Sequence, residues 1–275
     1  MRSTFREDHQ GRPVLDMRSA AARRAVTLDD LPTLTERDRA MAIRTWRKRM
    51  VNEHISAQVW SALLSQGMRA ALPAKVLTGI ADAASDELRH GEQCAAVLVA
   101  LGGKPIAHLP PIETVPSHDD VAPLEAFLRN LISVGCMSET VAVSVIRAEQ
   151  AELDDSKLGR ILSTILADEI QHARLGWEVL GMVTPLLDAD ARARLEDYLV
   201  DAFAHQVAHE LAHLPLLNGA TAEAARAGVC DGGFARTVFF DTITDIIVPG
   251  LEQAGLDAST AWAKAQALNP AQRAS

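Results

Sequence analysis

Six residues of this chain have the types and spacings needed to hold a pair of metal ions. Glu53 precedes Glu87 and His90, and Glu139 precedes Glu169 and His172, so the order Glu, then Glu-x-x-His, occurs twice. The Glu-to-Glu intervals are 34 and 30 residues, with turns expected near the midpoints, at Gly67 to Pro73 and at Leu153 to Lys157. A helical hairpin folded at each turn brings its acids level, roughly 22 Å from the hairpin end at about 1.5 Å of rise per residue. Within each Glu-x-x-His, positions three apart share a helix face, so carboxylate and imidazole point together.

Stepping by threes and fours gives Trp46, Met50, Glu53, Ala57, Trp60 and Leu64 on the first helix, and Ile80, Ala83, Glu87, His90, Cys94, Val97 and Leu101 on the second. The third and fourth give Leu128, Ile132, Gly135, Glu139, Ala142 and Ile146, then Leu158, Leu162, Ile165, Glu169, His172, Gly176 and Val179. All six candidates interrupt apolar seams. An isolated carboxylate buried there is costly and tends to neutralise, so four buried acids require compensating cations, which two divalent metals supply. One Glu-x-x-His carries little weight, because nine histidines yield about half of one by chance, although this chain has three. The weight lies in two mirrored spacings combined with four apolar seams.

The elements that must position these residues are helices. At 275 residues and 48% hydrophobic content the chain can bury a large core, and with aromatics at 4% and few alternating runs the expectation is all-α. Thr35 can cap a helix running to about Gly67. A second spans about Pro73 to Leu101 and stops at Gly102 and Gly103. Lys104 to Val121, with Pro105, Pro110, Pro111 and Pro116, reads as a long crossover between two hairpins. Helices are expected at about Ala122 to Glu152, Ser156 to Leu187 and Asp190 to Leu214. After a loop at Asn218 to Gly219, shorter ones come at Thr221 to Gly228, Phe234 to Ile247 and Ala258 to Leu268. The two hairpins form an approximate internal repeat of 82 residues. Residues 1–34 read as a flexible or surface-draped arm, 35–187 as the metal-binding core of one helical domain, and 188–275 as its accessory helices.

A net charge of −9 argues against a nucleic-acid or anionic-membrane surface as the main partner. The Arg-rich start lacks the apolar stretch of a signal peptide, and no uninterrupted apolar run reaches the ~18 residues of a spanning helix. Cys94, Cys136 and Cys230, odd in number and scattered, suit reduced thiols in a cytoplasmic protein.

The repeated pattern, over about Thr35 to Leu187, resembles the ferritin-like di-iron carboxylate superfamily, in which two helices give one Glu each and two give Glu-x-x-His. Asp86-Glu87-Leu88-Arg89-His90 is similar to the Asp-Glu-x-Arg-His signature of its bacterial multicomponent monooxygenases and related oxidases. The resemblance implies a four-helix bundle with a long crossover, and two irons, or manganese or a mixed pair, held by Glu53, Glu87, His90, Glu139, Glu169 and His172. Glu87 and Glu169 would bridge. Asp86 and Asp168 would accept hydrogen bonds from the opposite rings, beside Arg89. The implied activity is O2-dependent oxidation of a small organic substrate, by hydroxylation, desaturation or a similar step. Electrons would come from a ferredoxin or flavin reductase, and a homodimer is a further partner to consider.

Departures narrow the resemblance. Cys94 stands where the ribonucleotide reductase small subunit keeps a radical tyrosine, and Ile165 where N-oxygenating relatives add a histidine. Cys94, Gly135, Gly176 and His205 are candidates to line a substrate pocket. A ferritin-like protein that oxidises or holds iron without an organic substrate is one alternative. Another rests on His209-Glu210-Leu211-Ala212-His213, which is similar to the zinc-metallopeptidase signature but lacks the downstream glycine and third histidine of a metzincin.

Overall fold

The computed structural model describes residues 6–7, 11, 13–111, 114–153, 155–214 and 219–268. The chain enters through β1 (Arg6–Glu7), β2 (Pro13–Asp16) and α1 (Arg18–Arg23). Helix α2 (Glu36–Arg69) begins where Thr35 accepts a hydrogen bond from the Asp38 amide at 3.1 Å, and Glu36 and Asp38 complement the helix dipole. A turn at Ala71, with φ of 53°, leads into α3 (Ala74–Ala100). That helix ends at Gly102, whose φ of 89° is the left-handed backbone that favours glycine.

The crossover carries a strand that its prolines did not suggest, β3 (Ile106–His108). It pairs antiparallel with β2, Val14 opposite His108, as an edge of a small sheet in the order β1-β2-β3. Pro105 sits just ahead of that edge strand, where a missing N–H costs no ladder bond, and its carbonyl accepts from the Met17 amide at 2.9 Å.

The second hairpin opens with α4 (Pro123–Leu131), continues through a π-helical segment, Ile132–Ser138, and becomes α5 (Glu139–Ala151) on the same course. Ser156 then accepts from the Gly159 amide at 3.0 Å to start α6 (Lys157–Val183). A short 3₁₀ turn, Thr184–Leu186, and the Asp188 cap lead to α7 (Ala189–His213). The remaining helices are α8 (Ala222–Ala225), α9 (Gly232–Thr242), α10 (Val248–Gln253) and α11 (Ala258–Leu268), with a second π segment, Ile243–Ile247, joining α9 to α10. The helix expected at Thr221 to Gly228 is a single turn, and the one expected to end at Ile247 runs on to Gln253. Asn218 of the expected loop, Asp154 of the expected turn and the final residues 269–275 lie outside the described residues.

This is an all-α bundle: two long hairpins joined by a crossover, with C-terminal helices added. Its apolar interior divides in two. One cluster gathers Trp60, Ile80, Phe127, Cys136 and Val179, and the other Trp46, Met50, Cys94, Ile146 and Ile165. On each of the four long helices the Glu and His positions fall between residues of the two clusters. The polar side chains therefore form a layer across an otherwise oily bundle, with apolar packing above and below it.

The N-terminal segment lies along α3 and reaches the start of α6. Ala21 and Leu34 are buried in the second cluster, Arg23 and Arg24 pair with Glu92 at 2.8 and 2.7 Å, and Asp30 accepts from the Lys157 amide at 2.6 Å. Among the described residues, Pro123–Ala151 is long and apolar enough to cross a membrane, which counting uninterrupted apolar residues did not detect. Half of that window is buried inside the bundle, and the helix carries Glu139 into the polar layer.

Candidate metal centre

The four long helices bring all six sequence-derived candidates to one place. Ligand atoms of Glu53, Glu87, His90 and Glu169 lie within 4.8 Å of one another, as do those of Glu87, Glu139, Glu169 and His172. The two sets share Glu87 and Glu169. Glu169 turns Oε1 to His90 Nδ1 and Oε2 to His172 Nδ1, each at 3.2 Å. Glu87 does the same with opposite oxygens, Oε2 at 3.9 Å from His90 Nδ1 and Oε1 at 3.4 Å from His172 Nδ1. Each shared carboxylate thus turns one oxygen to each half.

The outer nitrogens are held crosswise. His90 Nε2 donates to Asp168 Oδ2 at 3.0 Å and His172 Nε2 to Asp86 Oδ2 at 3.3 Å, so each aspartate serves the ring of the other motif. A carboxylate only accepts, so Nε2 of each ring carries a proton and faces outward while Nδ1 is directed inward. Arg89 ties the pair together, 2.7 Å from Asp86 Oδ1 and 2.8 Å from Asp168 Oδ2.

Burial and crowding set the protonation. Desolvation raises Glu87 and Glu139 well above the ordinary carboxylate range, and neighbouring carboxylates add to it. Burial alone would lower both imidazoles. The surrounding carboxylates outweigh it, chiefly Glu169 and Glu53 at His90 and Glu169 and Glu87 at His172, and lift both to about 11. Burial likewise opposes ionisation of Glu169, yet the hydrogen bond from His172 and the second imidazole beside it bring it below its usual value. Without metal, the layer is balanced by protons.

The donor set fits a pair of hard or borderline dications. Four carboxylates balance two dications, and oxygen with imidazole ligation suits Fe, Mn or Zn better than soft metals. His90 Nδ1 is buried and makes no hydrogen bond, although Glu169 Oε1 is 3.2 Å away, so a buried nitrogen aims into the centre without a proton partner in line. The buried carboxylate and histidine cluster can hold metal.

The residues proposed to line a pocket are arranged otherwise. Gly135 and Gly176 face each other across two helices: a Cβ on Gly176 would stand 2.5 Å from the Gly135 carbonyl carbon, so their small size serves a close helix crossing rather than space for substrate. His205 is exposed; the α7 residue turned toward the core is its neighbour Gln206, which accepts from Ser138 Oγ at 3.1 Å, one residue before Glu139. The expectation that His205 lines the pocket therefore misses the inward-facing position by one residue. Cys94 is fully buried in the second apolar cluster, one turn past His90, where burial pushes its thiol up.

His209-Glu210-Leu211-Ala212-His213 lies on the outer side of α7. His213 Nδ1 donates to the His209 carbonyl at 2.7 Å, and the two rings lie tilted against each other with centroids 4.2 Å apart. Burial lowers His209 to about 4 and raises Glu210 to about 7. Among the described residues, neither metal-compatible group includes them, so the zinc-peptidase arrangement is not assembled.

One contact of the centre escaped the sequence. Trp60 donates from Nε1 to Glu139 Oε1 at 2.9 Å and sets its ring edge against His172, centroids 5.7 Å apart. A buried tryptophan needs an acceptor for its N–H, and Trp60 lies two turns beyond Glu53 on the ligand-bearing face. That was the available signal. No family model matches the chain, and no curated protein matches it.

Proposed function

We propose that this protein is an O2-dependent oxidoreductase whose buried centre holds two irons and oxidises a small organic molecule. The observation that carries the reading is the pair of four-ligand sets sharing Glu87 and Glu169, each shared carboxylate presenting one oxygen to either half. Manganese or a mixed pair suits the same donors.

Iron bound there would supply the binding and reduction of O2, with ligand flexibility supplied by carboxylates that can change mode. The chain's own residues set the conditions. Asp86 and Asp168 hold the protons on Nε2 of His172 and His90, so each Nδ1 faces inward and, where metal would displace its proton, is a stronger donor. Arg89 pairs with both aspartates and holds them in place. The apolar clusters on either side exclude water, so that oxidising equivalents are directed to a bound substrate rather than lost. The chain carries no cysteine cluster or dinucleotide fingerprint, so electrons are proposed to come from a separate ferredoxin or flavin reductase.

The test is anaerobic loading of metal-free protein with Fe(II), then O2 and optical spectroscopy, with oxygen uptake measured against a panel of small organic molecules. Two irons per chain and uptake that rises with one substrate class are expected. Two irons oxidised with no substrate-dependent uptake would favour an iron-holding protein, and a stoichiometry of one would overturn the dinuclear reading.

A further inference from the structure

The two halves of the centre are built unequally. On one side Glu139 is 6% exposed and anchored: Trp60 Nε1 occupies its Oε1, leaving Oε2 to face inward, 3.9 Å from His172 Nδ1. The His172 ring is itself fixed by Glu169 Oε2 at 3.2 Å, by Asp86 at 3.3 Å and by the edge contact with Trp60. All four ligands of that half are buried. On the other side Glu53 is 15% exposed, and His90 Nδ1 has no hydrogen-bond partner. The N-terminal segment also runs close by. At Gly91, beside His90, an added Cβ would lie 3.6 Å from Glu53 Cβ and 3.9 Å from Cε of Met17, a flexible side chain of the N-terminal segment.

Ligands already held in their binding geometry give up less freedom when metal arrives and release it more slowly. We propose that Trp60 is a positioning residue that makes the two metal positions unequal. The Glu139–His172 position fills first and tightly; the Glu53–His90 position, whose Glu53 reaches solvent, fills second and exchanges. The proposal rests on the dinuclear reading but makes a separate claim about order.

The experiment titrates the metal-free full chain with Co(II) under anaerobic conditions, read by visible d–d absorption and by competition with a chelator. Wild type is expected to show two resolved steps of one equivalent each, the first also quenching tryptophan emission. Trp60→Phe, which keeps the ring contact but loses the N–H, is expected to weaken the first step about 10- to 100-fold and to remove that quenching. Glu53→Gln is expected to weaken the second step alone. Circular dichroism checks that each variant folds; if Trp60→Phe does not, the wild-type and Glu53→Gln titrations decide. Two equivalents bound with one shared affinity, an unmoved first step in folded Trp60→Phe, or loss of the first step in Glu53→Gln would each overturn the proposal while leaving two metals bound. Wild type that takes up no Co(II) would instead remove the metal centre itself, and with it the proposal.

Discussion

Asp168 and Asp86 never reach the centre, yet each holds an imidazole that does. Asp168→Asn puts an amide where the carboxylate accepted from His90 Nε2; its oxygen can still accept, but the ring loses the negative charge that strengthens Nδ1. Metal affinity should fall about 10- to 100-fold with the helical content unchanged, as measured by chelator competition and circular dichroism. Protonation gives a second test. His90 and His172 have folded-state values raised from 6.5 to about 11, so the stability they contribute is complete below pH 6.5 and drains away as pH climbs toward 11. The raised values of Glu87 and Glu139 act in the same sense, whereas the lowered Glu169 contributes above its ordinary range and is constant over this window. Metal-free protein should therefore melt at progressively lower temperature from pH 6.5 to 9, and metal-loaded protein should not, because metal replaces the protons. A flat metal-free profile would contradict protonated imidazoles. The six clustered residues were legible because helical spacing alone puts Glu-x-x-His on one face. Trp60 and Gln206 were not, since which neighbour a side chain meets across helices depends on rotation about each axis, and a one-residue error turns Gln206 into His205.

Helix α6 and the π segment ahead of α5 touch backbone to backbone at Gly176 and Gly135. A methyl on Gly176 would sit 2.6 Å from the Gly135 carbonyl oxygen, and main chain cannot swing aside as the tip of a flexible side chain can. Gly176→Ala should cost about 1–3 kcal/mol through overpacking. It should also weaken metal binding, because the displaced backbone runs directly into Glu139. Gly181 lies on the same helix with nothing within 4 Å of an added Cβ, so Gly181→Ala should stabilise by up to about 1 kcal/mol through helix propensity. Denaturant midpoints of the two variants check the contrast; equal effects would mean the crossing is not tight. The long helices could be read from apolar steps of three and four and from the capping side chains Thr35 and Ser156. The π segments could not, because an inserted residue leaves composition untouched and only shifts the phase of the downstream helix. Strands β2 and β3 escaped for another reason: four and three residues are too few to show alternation, and their pairing joins positions about ninety apart in the chain.

For the molecule as a whole, the polar layer makes folding and metal binding one equilibrium. Four long helices bury Glu87, His90, Glu139, Glu169 and His172 between two apolar clusters, and in the metal-free state the cost of keeping like charges together falls on the same contacts that hold the hairpins side by side. The unfolded chain scatters these ligands, so metal binds the folded form preferentially and stabilises it by mass action. Free metal at a hundred times the dissociation constant of one site contributes about 2.7 kcal/mol. At ~2–4 °C per kcal/mol for a chain of this size, that is a rise of roughly 5–11 °C in Tm per occupied position. Anaerobic Fe(II) or Mn(II) should therefore raise Tm by that amount or more in wild type. Glu87→Ala combined with Glu169→Ala removes both shared carboxylates and should abolish the rise, while Gly181→Ala should retain it in full. Thermal scans with and without metal measure all three. A rise that persists in the doubly substituted chain would place the stabilising ion somewhere other than between the two hairpins, and the polar layer would then be a buried ion-pair network with no metal role.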